Sequence, residues 1–230
     1  MARQPKKCQI HVEGRNDQFA LINLLVRHGI NYDPKPWPDS FPEFTANTPE
    51  KDDLLEPARG VEAMLQTIVD EIKLQAGRTV GFVLDADTDP QDRWKAIQTR
   101  LQQSGVLAST EQSPEGFIGE SSLYKTRVGV WLMPDNRSPG ALEHFLATLI
   151  PDSNGLYQEA EAVTRKILEQ YPTACFREID QLKAQIACWL AWQKNPGRPY
   201  GTAIRARYFE SESPDALRFV HWFKTLFQIP

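Results

Sequence analysis

The sequence has little cysteine, no closely spaced cysteine pair and no long apolar run, and each absence excludes a class of protein. Its 230 residues include three cysteines, an odd number without a CxxC pair, so neither a disulfide framework nor a zinc site is indicated. No apolar run approaches the roughly 18 residues that cross a bilayer, and the first residues lack the apolar core of a signal peptide. We therefore expect a cytoplasmic protein without a membrane span.

An excess of basic residues is also missing. The net charge of -4 argues against a protein that wraps duplex DNA unaided. Residues 31–72 hold ten acids and three bases, whereas residues 181–210 hold five bases and one acid. Two interpretations remain open: a basic lobe that approaches phosphates, or two solvated surfaces of opposite sign. No Gly-rich loop ending in Lys-Ser/Thr is present, so nucleotide hydrolysis of that type is not encoded.

The most informative segment present is an apolar run that ends in acids. Residues 80–84 are continuously apolar, which predicts a strand buried on both faces of a parallel sheet. Asp85, Asp87 and Asp89 follow at alternate positions. Ligands of open α/β sheets bind at the carboxyl ends of strands, so these acids are placed to hold a hard cation. They could instead be turn formers, but three alternating acids favour the metal site.

A second acid follows a second predicted strand, over residues 8–12. Glu13 and Gly14 come directly after it, and Asp17 lies at the start of the next helix. If both strands belong to one parallel sheet, Glu13 and Asp85 emerge at the same edge. Glu13 could alternatively cap the helix, and Asp17 is interpreted as a cap that also orients the site.

These residues also carry a resemblance to a known family. Glu13-Gly14 with Asp17, and Asp85-Ala86-Asp87 after an apolar strand, resemble the Toprim domain of topoisomerases, bacterial primases, recombination proteins and the overcoming-lysogenization-defect nucleases. The resemblance implies an α/β fold with a central parallel sheet flanked by helices.

The same resemblance implies a domain division and a set of roles. Residues 1–150 would form the Toprim-like domain, and residues 151–230 a helical extension packed on the same core. Mg²⁺ or Mn²⁺ would be held by Asp85 and Asp87. Glu13 would be a metal ligand or the general acid/base, and Gly14 and Asp17 would lie beside the cofactor.

A later segment resembles a small Toprim-like family related to the nuclease branch. The segment covers residues 130–144, with Leu182-Lys183 downstream. This resemblance implies Gly140 and Glu143 at a helix start, with Glu143 as a further metal ligand, and Lys183 as a catalytic lysine. From spacing alone, Glu143 could serve only the helix dipole, and Lys183 is a solvated lysine.

The remaining pattern predicts a sheet covered by helices. Six prolines make residues 31–58 an irregular connection, with an edge strand near 41–45. A further strand is predicted over 123–133, ending near Asp135, a third candidate acid. In the first helix, Phe19, Ile22, Leu25 and Val26 are predicted to face the core. Helices are predicted over 17–28, 60–75, 90–104, 140–149, 156–170, 179–193 and 214–227.

The function that fits is metal-dependent phosphoryl transfer, with hydrolysis of phosphodiester bonds in DNA or RNA as the leading reaction. A non-catalytic or partner-activated effector subunit, held by an ATPase in an anti-phage or repair system, is the alternative. A small-molecule phosphotransferase or phosphatase is a third hypothesis, and a homo-oligomer stays open. The four histidines show no ligand spacing and receive no role.

Overall fold

A five-stranded sheet forms the centre of the protein in the computed structural model, which describes residues 8–30, 41–46, 59–173 and 175–230. The strand order is β2-β1-β3-β5-β4, and every neighbouring pair is parallel except β4 with β5. This architecture confirms the predicted α/β class with a largely parallel sheet. The strands are β1 (Gln9–Val12), β2 (Glu43–Ala46), β3 (Thr79–Asp85), β4 (Phe117–Glu120) and β5 (Arg127–Met133).

Helices cover both faces of the sheet. The helices α2 and α3 pack on one face, and the helices α1 and α4 to α8 pack on the other. None of the described helices combines the length and the apolar character needed to cross a membrane. The helices are α1 (Arg15–Arg27), α2 (Arg59–Leu74), α3 (Pro90–Gln103), α4 (Leu142–Ala147), α5 (Gly155–Gln170), α6 (Gln181–Ala191), α7 (Tyr200–Arg205) and α8 (Pro214–Phe227), with a 3₁₀ turn at Glu178–Asp180.

Strand β3 is buried on both sides, as its continuous apolar run predicts. Phe82 and Leu84 pack against α2 and α3, whereas Val83 belongs to the core under the opposite face. Side chains alternate across a strand, so a strand with helices on both faces has no position that favours a polar residue until it ends. The first charged residue of β3 is its last one, Asp85.

The strand order reverses between β1 and β3. From β1 the chain passes through α1 to β2 on one side, and β3 lies on the other side of β1. At such a reversal a crevice opens outside the carboxyl ends of the two strands, and ligands of open α/β sheets bind there. Glu13 follows β1 and Asp85 ends β3, so the topology places both at this crevice.

Two glycines allow the last helix to pack closely on the sheet. Gly81 of β3 and Gly129 of β5 are register partners, and a Cβ atom at either position would lie within 3.1 Å of the Leu226 side chain of α8. The absence of side chains at these two positions lets α8 approach the strands closely. The C-terminal helices therefore pack directly on the central sheet.

The predicted strand over 123–133 was wrong in its first part. Residues 121–126 form a turn in which Lys125 has a left-handed backbone, with φ of 56°, and Thr126 donates its hydroxyl to the carbonyl of Ile72. Strand β5 begins only at Arg127, and the antiparallel edge strand β4 before it was not predicted. Residues 31–40 and 47–58 of the predicted irregular connection lie outside the described residues, and β2 occupies the predicted edge strand.

The predicted core face of α1 was also wrong in part. Phe19 is 55% exposed and Val26 is 36% exposed, whereas Leu21 and Leu24 are buried. The reason is a second contact of α1: the backbone carbonyl of Phe19 lies 2.6 Å from the position of a Cβ atom at Gly201 in α7. The helix is rotated to meet both the sheet and α7, which the sequence period alone does not indicate.

Candidate functional site

Glu13 and Asp85 come together at the edge where β1 and β3 end. The backbone N–H of Asp85 donates a hydrogen bond of 2.8 Å to Oε1 of Glu13. Val12 is the register partner of Val83, so the parallel pairing itself brings the following residues side by side. Oδ1 of Asp85 also accepts a hydrogen bond of 3.2 Å from the N–H of Leu142 at the start of α4. Two residues that are 72 positions apart thus share one site.

Asp17 joins this pair from the first turn of α1. The N-cap position of α1 is occupied by Gly14. The carboxylate of Asp17 accepts a backbone hydrogen bond from Gly14, so Asp17 caps the helix from its third position. A Cβ atom at Gly14 would lie 3.1 Å from Oδ2 of Asp17. The glycine leaves room for this carboxylate near the end of β1, beside Glu13.

Glu143 lies in the first turn of α4 and faces the same group of acids. The Tyr200 hydroxyl of α7 donates a hydrogen bond of 3.3 Å to Oε1 of Glu143. The charge of Glu143 contributes to the raised pKa of both Asp17 and Asp85. Elements from both halves of the chain therefore position this carboxylate.

Asp87 and Asp89 take different places after β3. Asp87 has a left-handed backbone, with φ of 53°, and exchanges two main-chain hydrogen bonds of 2.9 and 2.7 Å with Gly140. Its carboxylate forms an ion pair with Arg93 of α3. Asp89 instead caps α3, because its side chain accepts hydrogen bonds from the N–H groups of Gln91 and Asp92.

We use the name cluster of acids for Glu13, Asp17, Asp85, Asp87 and Glu143. In addition to burial, the negative charges of the other four each raise the pKa of Asp85. Burial raises the pKa of Asp85 to about 9, and the charge of Glu13 adds to the shift. Burial raises the pKa of Glu13 to about 7, although the N–H group of Asp85 opposes this. Burial also raises the pKa of Asp17 to about 6. Repulsion between buried carboxylates is relieved either by protons or by a cation.

The donor set fits a hard divalent cation. Five carboxylates border one crevice and influence one another's charge, and carboxylate oxygens are the ligands that Mg²⁺ and Mn²⁺ prefer. As the side chains stand, no three acids, histidines or cysteines of the described chain lie close enough together to hold a metal ion. Glu13 and Asp85 are engaged with backbone amides and Asp87 with Arg93. Coordination would require these carboxylates to exchange those partners for the ion.

A cavity of about 730 Å³ opens beside the acids. Asp87, Gly140 and Glu143 line one wall, and residues 178–183 with Gln185 line the other. Lys183 is exposed on this second wall. The structure therefore places Lys183 at the cavity next to the acids, whereas the predicted acid Asp89 caps α3.

Asp135, the third predicted strand-end acid, lies in a turn outside the cluster. Its carboxylate accepts hydrogen bonds from the N–H groups of Arg137 and Ser138 and from the Ser138 hydroxyl. Burial alone would raise the pKa of Asp135, but these donors hold it below its usual range. Asp135 acts as a turn former.

Several residues of the site carried no signal in the sequence. Arg93 and Tyr200 reach the acids from α3 and α7, and neither belongs to a motif near Glu13 or Asp85. His144 lines the cavity, and its Nδ1 accepts a hydrogen bond of 3.1 Å from the N–H of Ala141. A neutral His144 therefore carries its ring proton on Nε2. Folding brings Tyr200 to Glu143 across 57 positions of the chain.

The comparisons with known proteins add one finding. A family model described as "Protein of unknown function (DUF3226)" matches residues 7–228. No curated protein and no solved structure matches the chain.

Proposed function

Because the chain belongs to the DUF3226 family of proteins of unknown function, we propose its activity from the site itself: metal-dependent hydrolysis of phosphodiester bonds in a nucleic acid. The observation that carries the proposal is the meeting of Glu13 and Asp85, joined by a hydrogen bond of 2.8 Å, at the reversal point of the sheet. The resemblance of both motifs to the Toprim domain supports the same reaction class.

Asp85, Asp87 and Glu143 are the residues proposed to hold Mg²⁺ or Mn²⁺, with Glu13 either as a further ligand or as the general acid/base. When bound, such an ion neutralises phosphate charge and makes a water molecule more acidic. Burial raises the pKa of Glu13 to about 7. A carboxylate with a pKa near neutrality can accept a proton from water and release it in the same cycle, which supports Glu13 as the general acid/base.

Two cations of the chain are placed to meet a phosphate. Lys183 lines the cavity opposite Asp87 and Glu143, and Arg93 pairs with Asp87. Lysine and arginine are the side chains that bind phosphate oxygens. We propose that Lys183 offsets the negative charge that develops on the phosphate, and that Arg93 orients Asp87.

The test is cleavage of labelled single-stranded DNA, duplex DNA and RNA with Mg²⁺ or Mn²⁺. Asp85→Asn and Glu13→Gln should each lower the rate by about 100-fold or more, because each removes a charge that the reaction uses. Asp135→Asn is the matched control, since Asp135 is a turn acid outside the cluster, and it should keep the wild-type rate. Full cleavage by Asp85→Asn would refute the proposal.

A partner-activated effector subunit is the second candidate function, and one observation favours it. Asp87 is paired with Arg93, and Glu13 and Asp85 are engaged with backbone amides, so the acids are not arranged for an ion as they stand. An ATPase partner that released these contacts would switch the site on. Calorimetric Mn²⁺ binding without cleavage of any polymer would favour this function, and cleavage of free nucleotides alone would favour a phosphatase.

A further inference from the structure

The second wall of the cavity contains a largely buried glutamine whose amide borders the cavity. Gln185 of α6 is 8% exposed and lines the cavity. Within the described part of the chain, its side-chain amide forms no hydrogen bond. The side chain lines the cavity, so its donor and acceptor groups are free to pair with a ligand there.

Two apolar side chains line the same wall as this amide. Ile179 is 75% exposed, and Leu182 is half-buried, and both line the cavity. Positions three apart lie on one side of a helix, so Leu182 and Gln185 share the side of α6 that borders the cavity. A large exposed apolar residue beside a cluster of acids provides a surface for a flat apolar group.

The chemistry of this wall matches a nucleobase. A glutamine amide presents one donor group and one acceptor side by side, and this arrangement pairs with the edge of a base. The faces of a base are apolar and pack against apolar or aromatic side chains. Lys183 on the same wall is a cation suited to the phosphate that follows the base. The wall thus combines contacts for a face, an edge and a phosphate.

We propose that Ile179, Leu182 and Gln185 form a subsite for one unpaired nucleobase, next to the acids. The proposal rests on the proposed function and names its substrate class: a nucleotide whose base is free of a complementary strand. A base within a duplex has its faces stacked and its pairing edge occupied, so it reaches a pocket only after leaving the helix. The shared chemistry is an unpaired nucleotide, either free or within a single strand.

The test measures binding by fluorescence anisotropy, with a labelled single-stranded DNA of about 12 nucleotides and an abasic strand of the same length. The wild-type protein should bind the strand with bases about tenfold more tightly than the abasic strand. Duplex DNA should bind as weakly as the abasic strand. Competition by nucleoside monophosphates distinguishes the two forms of the ligand. If micromolar nucleoside monophosphate displaces the labelled strand, the subsite binds free nucleotides.

Two variants sharpen the test. Gln185→Leu keeps the size of the side chain but removes its polar atoms, and it should bring the affinities for the two strands within about threefold of each other. Gln103→Leu is the matched control, because Gln103 is an exposed glutamine at the end of α3, and it should keep the full preference.

Equal wild-type affinity for the two strands would overturn the subsite, and this comparison does not depend on the folding of any variant. Failure of the subsite and failure of the hydrolase are distinguishable. If the protein prefers the strand with bases but cleaves no substrate, the subsite is supported and the hydrolase proposal is refuted. If both strands bind equally and Asp85→Asn abolishes cleavage, the subsite is refuted and the hydrolase proposal is supported.

Discussion

At the scale of single residues, Asp85 is the most constrained side chain of the site. Its carboxylate accepts a hydrogen bond from the N–H of Leu142, and its own N–H donates a hydrogen bond to Glu13. Burial raises its pKa to about 9. A carboxyl group with a raised pKa holds a proton in the folded state at a pH where the unfolded chain has released it. The site therefore links folding to pH.

We expect the metal-free protein to lose stability as the pH rises from about 5 to about 9. In this window the folded state binds more protons than the unfolded state, because the pKa values of Asp17, Glu13 and Asp85 are raised to about 6, 7 and 9. The slope is about 1.4 kcal/mol per pH unit for each such proton. Thermal unfolding in EDTA at several pH values measures it.

The variant Asp85→Asn should flatten most of this slope, since asparagine does not titrate. The control Asp135→Asn should leave the slope unchanged, because the pKa of Asp135 is lowered and this residue stays ionised throughout the window. Mg²⁺ or Mn²⁺ should raise the melting temperature more at about pH 8 than at about pH 5.5, since cations and protons compete for the same carboxylates. A stability that rises with pH in EDTA would contradict the assignment.

At the scale of elements, the site depends on a short pairing between two loops. Asp87 and Gly140 exchange main-chain hydrogen bonds, which ties the end of β3 to the start of α4. Gly140 has φ of 143°, and a Cβ atom there would lie 2.6 Å from Cγ of His144. Only glycine adopts this backbone without strain, so the pairing that positions Asp87 and Glu143 requires it.

The variant Gly140→Ala should lower the free energy of unfolding by about 1–3 kcal/mol and reduce cleavage as well, because the new methyl group displaces His144. Chemical denaturation and the cleavage assay measure the two effects. Gly155→Ala is the matched control, because Gly155 begins α5 and no atom lies within 4 Å of a Cβ added there. Its φ lies outside the left-handed region that favours glycine. Equal stability of the two variants would show that the loop pairing does not constrain the site.

Elements with strong local signals were predicted well. The helix predicted over 214–227 has those bounds in the structure, because Ser213 caps it, Pro214 begins it and aromatic residues repeat along one face. The helix predicted over 156–170 differs by one residue. In contrast, β4 has four residues, of which three are half-buried and one is exposed, and α7 has six. Such short elements depend on neighbours and carry little pattern of their own.

At the scale of the whole molecule, the two predicted regions share one core. Trp131 of β5 packs edge-on against Phe219 of α8 at 5.4 Å between ring centres, and Trp222 lies 5.7 Å from the same indole. Tyr200 of α7 reaches across to Glu143. Residues from 1–150 and 151–230 therefore contribute to both the core and the site.

We expect a fragment of residues 1–150 to lack a cooperative fold, because removal of α8 would expose Trp131 and one face of the sheet to water. Near-ultraviolet circular dichroism and binding of an apolar dye measure the packing of the fragment against that of the full chain. A fragment that unfolds cooperatively, with a fixed aromatic signal, would show that residues 151–230 are a separate addition.

The sequence by itself determined the local patterns: a doubly buried strand that ends in Asp85, a strand that ends in Glu13, and long helices with clear caps. These follow from contacts between residues close in the chain. Only the tertiary structure decided that Glu13 and Asp85 share a hydrogen bond, that Tyr200 contacts Glu143 and that Gln185 borders the same cavity. These juxtapositions depend on strand order and helix packing, which arise from burial of apolar surface across the whole chain.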